Sequence, residues 1–256
     1  MIGTLQVALT SWRLAWLSEI SRRVSFFVQM LFMCINDGVW VVFWLLVFSH
    51  RESIRGWERD EVLVLFAIVT ATYGVGIGLF YGVRRLGDRI RDRDLDPYLA
   101  QPRPVVVRVL FSKIHPPLLG DLAFGPILFT IATGGADALQ WLRYGVVVVL
   151  AASIVVAFIL TWESVAFWAE SGSEIAGVAF TAITVLSTYP SAIYAGVVKV
   201  IVFTVVPAVF IGSVPAEIVL DPSWQQLALL CGAALVAWTV ALTVFHTGLR
   251  RHLRAA

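Results

Sequence analysis

The charged side chains of this sequence are concentrated between Gly82 and Lys113, where eight bases and four acids stand together. The bases are Arg84, Arg85, Arg89, Arg91, Arg93, Arg103, Arg108 and Lys113, and the acids are Asp88, Asp92, Asp94 and Asp96. On a helix, Asp88 would lie four residues from Arg84 and three from Arg91, so ion pairs are expected along one face. Each such pair contributes roughly a few tenths of a kcal/mol, so stability alone does not explain so many charges.

The same segment carries a small apolar face, because Leu86 and Ile90 are four residues apart. This pattern favours a helix that inserts both side chains into a groove on a partner protein. The alternative is a solvated loop beside lipid headgroups, whose arginines orient the chain in a membrane. That alternative accounts for the bases but not for the aspartates, because acids contribute little to orientation.

Five ionisable side chains stand within or beside apolar stretches, where charge is costly and a functional role is the default expectation. They are Asp37, Asp121, Glu163, Lys199 and Glu217. Lys199 and Glu217 are expected either to pair with each other or to reach the outer interface separately. Asp37 is the deepest by position and is expected to line a path or to hold two helices together. Asp121 and Glu163 lie near predicted span ends, where interfacial placement is expected.

Sequence patterns of known catalytic and metal sites are absent. There is no HExxH, GxSxG or CxxC pattern, and the four histidines are scattered along the chain. Cys34 and Cys231 lie in different apolar segments and are interpreted as small buried apolar residues. We therefore expect no enzyme activity, no metal site, no cofactor bound by this chain and no nucleic-acid partner.

The composition indicates the class of protein in which these residues are placed. Of the 256 residues, 59% are hydrophobic and 14% are charged, with a mean hydropathy of +0.85. A soluble domain would have about 45–50% apolar and about 25% charged residues. Because the apolar runs are continuous rather than alternating, the sequence predicts an all-α integral membrane protein.

Six apolar segments are predicted to cross the membrane. They are Val24–Phe48, Val62–Tyr81, His115–Thr133, Tyr144–Trp162, Ile175–Tyr189 and Gln226–Gly248. Ahead of them, residues 1–23 are predicted to form an amphipathic helix at the membrane interface, since one face carries Leu5, Leu9, Trp12, Trp16 and Ile20. The alternative for this helix is a soluble cap. In the second span, Gly74, Gly78 and Gly82 fall four residues apart and predict a face of close helix packing.

The distribution of bases predicts the orientation. With both termini in the cytoplasm, inside segments hold 14 of the 19 bases and outside turns hold four. This balance requires only one net crossing between residues 175 and 220. We therefore predict that residues 191–220 form a re-entrant hairpin from the outer side, with breaks near Pro190, Pro207 and Pro215. The alternative is two tilted spans with the C-terminus outside.

Three motifs, in order along nearly the whole chain, carry a family resemblance. They are SIRGWERDEVLVL (Ser53–Leu65), LDPYLAQPRP (Leu95–Pro104) and TYPSAIYAGVVKVIVFTVVPAVFIGSVPAEIVL (Thr188–Leu220). Together with the predicted topology, they resemble the type-2 permeases of ATP-binding-cassette (ABC) exporters, in a branch formerly labelled a domain of unknown function. One departure from the pattern is visible: a glycine is expected three residues before Asp96, and Arg93 stands there.

The resemblance implies a permease, not an enzyme, that exports a hydrophobic or amphipathic substrate. ATP and magnesium would be bound by two ATPase subunits, and a second permease, identical or related, would complete the path through the lipid membrane. The implied location is the cytoplasmic (inner) membrane of a prokaryote, with residues 1–256 as a single transmembrane domain. This chain has no GxxxxGK[ST] motif, so the ATPase would be another chain.

The resemblance also implies roles for individual residues. Within a coupling region, residues 84–104, contact with the ATPase would involve Arg84, Leu86, Asp88, Ile90, Arg91, Asp96, Leu99 and Pro102. The gate or path would involve Asp37, Tyr189, Pro190, Lys199, Pro207 and Glu217.

Two other functions remain open from the sequence. A lipid-modifying membrane enzyme would need polar residues converging in one leaflet, and no such cluster is evident from the sequence. An ion-coupled secondary transporter would show broken helices in matching halves of the chain. Here the proline-rich breaks occur chiefly in the second half.

Overall fold

The computed structural model of the chain describes residues 2–99 and 104–255. The α-helices are α1 (Ile2–Ile20), α2 (Arg23–Phe48), α3 (Arg59–Tyr73), α4 (Leu86–Arg91), α5 (Asp96–Leu99), α6 (Val105–Leu110), α7 (Pro116–Ala132), α8 (Ala138–Glu163), α9 (Gly172–Ser187), α10 (Gly196–Thr204), α11 (Ser213–Leu220) and α12 (Trp224–Ala255). A π-helix covers Gly74–Gly78, and 3-10 helices cover Tyr81–Arg85, Ser164–Phe167, Ser191–Ile193 and Ala208–Phe210. Two short antiparallel strands, β1 (Ser53–Ile54) and β2 (Trp57–Glu58), precede α3.

Helix α3 is the centre of the fold. Every residue from Val62 to Tyr73 is buried, and α7, α8 and α11 pack around it. A helix that is apolar on all sides keeps these side chains away from water either in lipid or in protein, and α3 is enclosed by protein. Its first turn is fixed by a reciprocal capping box, in which the Glu58 backbone N–H donates to the Glu61 carboxylate at 2.9 Å.

Glycines let α3 and its π-helical extension approach the neighbouring helices closely. A Cβ atom at Gly74 would lie 2.5 Å from the backbone nitrogen of Leu122 in α7, and one at Gly78 would lie 3.1 Å from the carbonyl oxygen of Leu118. The predicted close-packing face of the second span is therefore confirmed, because no larger side chain fits at Gly74 without moving the backbone of α7.

Two groups from elsewhere in the chain satisfy the carbonyl oxygens at the end of this span. The indole Nε1 of Trp12 in α1 donates to the Leu79 carbonyl at 3.0 Å, and the backbone N–H of His115 donates to the Gly78 carbonyl at 2.9 Å. Where a helix ends inside a packed structure, such partners replace the missing intrahelical bonds. Helix α1 is thereby fastened to the point at which the second span gives way to the charged segment.

The packing face of α1 differs from the predicted apolar face. Trp12 and Trp16 do contact the protein: Trp12 packs edge-on against Phe111, and Trp16 packs at a tilt against Phe26. Leu9 and Ile20 do not, since 48% and 41% of their surfaces are exposed. The side chain of Leu5 lies outside the described residues. The buried residues on the packing face of α1 also include two small ones, Ala8 and Ala15. Their size lets α1 come close to its neighbours α2 and α6.

Helices lie at all six predicted span positions, although they differ in length. Within the described residues, four are long and apolar enough to cross a membrane: Arg23–Phe48, Arg59–Gly78, Ala138–Phe167 and Trp224–Arg254. Helices α7 and α9 are apolar but shorter, with 17 and 16 residues. Helix α10 and the stretch Ala208–Leu220 form a pair bent by 58°, the geometry of a broken span or of a re-entrant loop. The chain is a multi-pass, all-α membrane protein.

Candidate functional site

The charged segment, which we define as residues 81–98, folds back onto the body of the protein. It consists of the 3-10 helix Tyr81–Arg85, the short helix α4, a turn and the first residues of α5. One side of α4 packs on the 3-10 helix that follows α8 and on the beginning of α9. The other side is exposed and carries most of the charges. The segment is therefore a structured element with a buried and an exposed face, not a solvated loop.

A buried carboxylate holds the segment in place. Glu163, at the end of α8, is only 1% exposed. Its Oε1 accepts a hydrogen bond from Arg84 Nη1 at 2.6 Å, and its Oε2 accepts one from the backbone N–H of Gly87 at 2.9 Å. Both oxygens are thus used, as a buried charge requires. The expected placement of Glu163 near the membrane interface stays a prediction, and the structure adds that the side chain is enclosed by the folded segment.

Gly87 is required at this junction by lack of space. A Cβ atom there would lie 2.7 Å from Glu163 Oε2 and 3.1 Å from the Cβ of Ser173 in α9. Only a residue without a side chain lets the backbone N–H of α4 reach the carboxylate. The sequence pattern of charges did not reveal this role, since the partner of Gly87 is 76 residues away.

The apolar face of the segment is directed inward rather than toward a partner. Leu86 is fully buried and Ile90 is 6% exposed, and both belong to the main hydrophobic core of the chain. The interpretation that these two side chains insert into a groove on another protein is therefore corrected. The core of this chain already encloses them, so the accessible side chains of the segment are the charged ones.

Ion pairs order the exposed face of α4. Asp88 contacts Arg85 at 3.0 Å and Arg91 at 3.4 Å, and Arg91 also contacts Asp92 at 3.2 Å. The predicted pair of Asp88 with Arg91 is present, whereas Arg84 pairs with Glu163 rather than with Asp88. Exposed pairs of this kind add little stability. Their effect is to hold a fixed pattern of alternating charge at the surface.

An aromatic ring joins the far end of the segment to α6. The guanidinium groups of Arg89 and Arg108 lie 4.8 Å and 5.0 Å from the centre of the Tyr98 ring. Arg89 also donates to Ser112 Oγ at 3.0 Å, and Arg108 donates to the carbonyl oxygens of Pro97 and Tyr98 at 3.2 Å and 2.8 Å. Burial lowers the pKa of Arg89, but an arginine remains charged at neutral pH. Because Arg89 of α4 and Arg108 of α6 both lie against the Tyr98 ring, they hold the end of the charged segment in place.

Arg93 occupies the position where the family pattern has a glycine. Its φ angle is +59°, in the left-handed region that glycine adopts at little cost. The turn that the pattern requires is therefore present despite the substitution. Of the other motif residues, Asp96 and Leu99 contribute backbone to α5, but their side chains lie outside the described residues, as does the whole of Pro102.

An open groove of about 860 Å³ runs beside α9 and meets the charged segment. Val178, Phe180 and Leu186 form much of its apolar wall, and Glu174 is in the first turn of α9. Arg84 reaches the groove as well, with its guanidinium 4.5 Å from the centre of the Phe180 ring. Arg84, which is part of the charged segment, thus contacts both the groove and the buried carboxylate of Glu163.

The residues expected to form a gate do not form one cluster. Lys199 is exposed on α10 and makes no ion pair with Glu217 on α11. Glu217 instead accepts a hydrogen bond from Gln226 Nε2 at 2.7 Å, since α11 lies against the start of α12. Tyr189 packs edge-on against Trp44 of α2 at 5.7 Å.

The remaining gate residues lie at the turns of the chain. Pro190 is buried where α9 ends, and Pro207 stands at the bend between α10 and Ala208.

Asp37 lies elsewhere: it is buried between α2 and α7, where it meets Asp121. Asp121 is only 3% exposed, so protein rather than solvent encloses it. In the part of the chain that is described, no group of three or more His, Cys, Asp or Glu residues could hold a metal ion.

A comparison with protein families gives one match. A family model described as ABC-2 family transporter protein matches residues 34–255. No curated protein and no solved structure matches the chain significantly. The matched range contains all three sequence motifs, the charged segment, Glu163 and the bent pair of helices.

Replacing Glu163 with glutamine is expected to lower the free energy of unfolding by about 3 kcal/mol, because Arg84 loses its charged partner in a largely buried position. Thermal denaturation of the purified chain in detergent measures this effect. Asp88→Asn is the matched control and should cost less than about 1 kcal/mol, since its ion pairs are exposed. Equal losses in the two variants would contradict the assignment of Glu163 as the anchor.

Replacing Arg93 with glycine is expected to raise the free energy of unfolding by about 1 kcal/mol, because a side chain in the left-handed region is strained. The same substitution at Arg91, the last residue of α4, should lower it by up to about 1 kcal/mol, because it removes the contacts with Asp88 and Asp92 and frees a helical backbone position. Thermal denaturation of both variants provides the comparison. A loss of stability in Arg93→Gly would show that the arginine side chain, and not the backbone turn, is what matters there.

Proposed function

The chain belongs to the ABC-2 transporter protein family, and from this membership we propose that it is the permease subunit of an ATP-driven exporter. It moves a hydrophobic or amphipathic substrate out of the cytoplasm, and a separate chain supplies the ATPase activity. The contacts made by Arg84 are the structural observation that supports this proposal. This side chain is bonded to Glu163 beneath the charged segment and lies against Phe180 in the groove.

The charged segment is suited to receive the movement of an ATPase. Its buried side is fixed to α8 and α9 by Leu86, Ile90 and the bonds to Glu163. Its exposed side presents Arg85 and Arg91 in a pattern of opposite charges that a partner protein can match. A push on this face is passed to α8 and α9 because α4 is not free to move alone.

The groove beside α9 supports the chemistry of the substrate. Its wall is largely apolar, while Arg84 and Glu174 add charges. An amphipathic molecule could place its apolar part along α9 and its polar end beside these charges. ATP and magnesium would be bound by the ATPase subunits, two in each complex. This chain itself would bind no cofactor.

The topology proposed for this function has six spans, with both termini in the cytoplasm of a prokaryotic cell. The excess of arginines in the charged segment supports the cytoplasmic side for α4. The bend of 58° between α10 and the stretch Ala208–Leu220 supports a hairpin that enters and leaves on the outer side. Helices α2 and α12 are mostly exposed at their sides, which leaves room for lipid and for a second permease, either identical or related.

Coexpression with ABC-type ATPases from the same organism tests the proposal. We expect one of them to purify together with this chain and to drive ATP-dependent efflux of a labelled amphipathic molecule from membrane vesicles. Replacing Arg85 and Arg91 with glutamate should reduce copurification and efflux at least tenfold. It should lower the free energy of unfolding by only about 1 kcal/mol, because the ion pairs that it removes are exposed.

Arg51→Glu is the matched control for that experiment, because Arg51 is an exposed arginine in a turn placed outside the cell. It should leave copurification and efflux unchanged. Efflux that needs no ATPase, or unaffected copurification in the double glutamate variant, would contradict the corresponding part of the proposal.

Cysteine labelling tests the orientation. In a chain with Cys34 and Cys231 replaced by alanine, a membrane-impermeant thiol reagent added to intact cells should label Arg51→Cys but not Arg93→Cys. Both positions are exposed, so side-chain burial does not bias the comparison. After the membrane is permeabilised, both variants should react. The reverse pattern in intact cells would place the charged segment outside and would refute contact with a cytoplasmic ATPase.

A further inference from the structure

Two acidic side chains meet between α2 and α7 with no base to neutralise them. Asp37 and Asp121 are each 3% exposed and lie on helices that pack against each other. They are neighbours because Cys34, one turn before Asp37, donates its thiol to the carbonyl of Gly120, the residue before Asp121. Neither forms an ion pair with any Lys or Arg of the described residues. This contact was not expected from the sequence, in which the two residues are separated by more than a full span.

Both aspartates lie at the same depth. Asp37 and Asp121 are each eleven residues before the C-terminal end of their helices, α2 and α7. At 1.5 Å per residue this distance is roughly 16 Å, about half the thickness of the apolar layer of a bilayer. In the proposed topology both helices end on the outer side. The pair is therefore near the middle of the membrane, where an ionised side chain is most costly.

The neighbouring groups do not supply the missing positive charge. Cys34, one turn before Asp37, donates its thiol to the Gly120 carbonyl at 3.6 Å, and Tyr73 of α3 lies near Asp121. Asn36 offers a neutral side-chain amide to Asp37. One oxygen of each acid, Asp37 Oδ2 and Asp121 Oδ1, accepts no hydrogen bond from any described residue. Two adjacent carboxylates in such surroundings cannot both remain ionised.

We propose that Asp37 and Asp121 form a proton-binding site in the middle of the membrane, in which a bound proton joins α2 to α7. The proton lies between an oxygen of one carboxyl group and an oxygen of the other. It removes one negative charge and supplies the hydrogen bond that the two acids otherwise lack. The inference requires that the chain crosses the membrane, but it does not depend on export or on an ATPase.

The site is placed where it can act on a movable element. Helix α2 is largely exposed and packs mainly on α7. The contact is tight around Gly120, where a Cβ atom would lie 2.5 Å from the carbonyl oxygen of Met30. If α2 moves away from α7, the shared hydrogen bond is broken and each carboxyl must find its own proton or water. Proton binding and the position of α2 are consequently linked.

Infrared spectroscopy of the full chain in lipid nanodiscs at neutral pH tests the proposal. We expect a carbonyl-stretching band of a protonated carboxylic acid in the original chain and its loss in the double variant Asp37→Asn, Asp121→Asn. Asparagine matches the shape of a protonated aspartic acid and can donate a hydrogen bond, so the packing of α2 on α7 should survive.

The control is Glu217→Gln, which removes another partly buried acid and should leave the band unchanged. If the double variant does not fold, each single variant should shift or remove the band, because the hydrogen-bond partner of the remaining acid has changed. Absence of the band in the original chain, its loss in Glu217→Gln, or an unchanged band in both single variants would overturn the proposal.

Discussion

The ion pair beneath the charged segment is the interaction on which the arrangement of this protein depends. Glu163 is enclosed at the end of a long apolar helix, and a charge in that place is tolerated only because Arg84 and the Gly87 backbone use both of its oxygens. The same contacts decide where α4 lies, which of its faces is exposed and how Arg84 reaches the groove. Leu86 and Ile90 bury the apolar side of the segment, and the carboxylate satisfies the arginine and the backbone N–H that come to lie against the apolar body with them.

The second constraint is close packing around α3. Its neighbours can approach because glycine stands where they touch, and the helix changes to a π-helix as it passes α7 and α8. At the C-terminal end of the second span, the hydrogen bond from Trp12 to the Leu79 carbonyl connects α1 to the point where the charged segment begins. In contrast, α2 is fastened to the body along one side only. The protein consequently combines an enclosed centre with a peripheral helix that packs along one side, mainly on α7.

Much of the fold could be predicted from the sequence, because span positions depend on local apolar runs and the glycine spacing depends on one helix alone. The pairing of Asp88 with Arg91 follows from the same local rule. What could not be predicted are the contacts between distant parts of the chain. Leu86 and Ile90 define a face, but nothing local tells whether that face meets a partner or the protein's own core. The enclosed surroundings of Glu163 and Asp121 could not be predicted for the same reason, since the residues that they meet are in other helices.

The anchor of the charged segment also sets an order of assembly. Arg84 and Glu163 are 79 residues apart, and the intervening chain includes α7 and the whole of α8. During synthesis, α4 emerges well before the carboxylate that fixes it, so the segment must wait at the membrane surface with its apolar face uncovered. It closes only when the last turn of α8, the 3-10 helix after it and the beginning of α9 have arrived. Biogenesis therefore contains an interval in which Leu86 and Ile90 are open to chaperones and proteases, and arrival of the first turn of α9 ends that exposure.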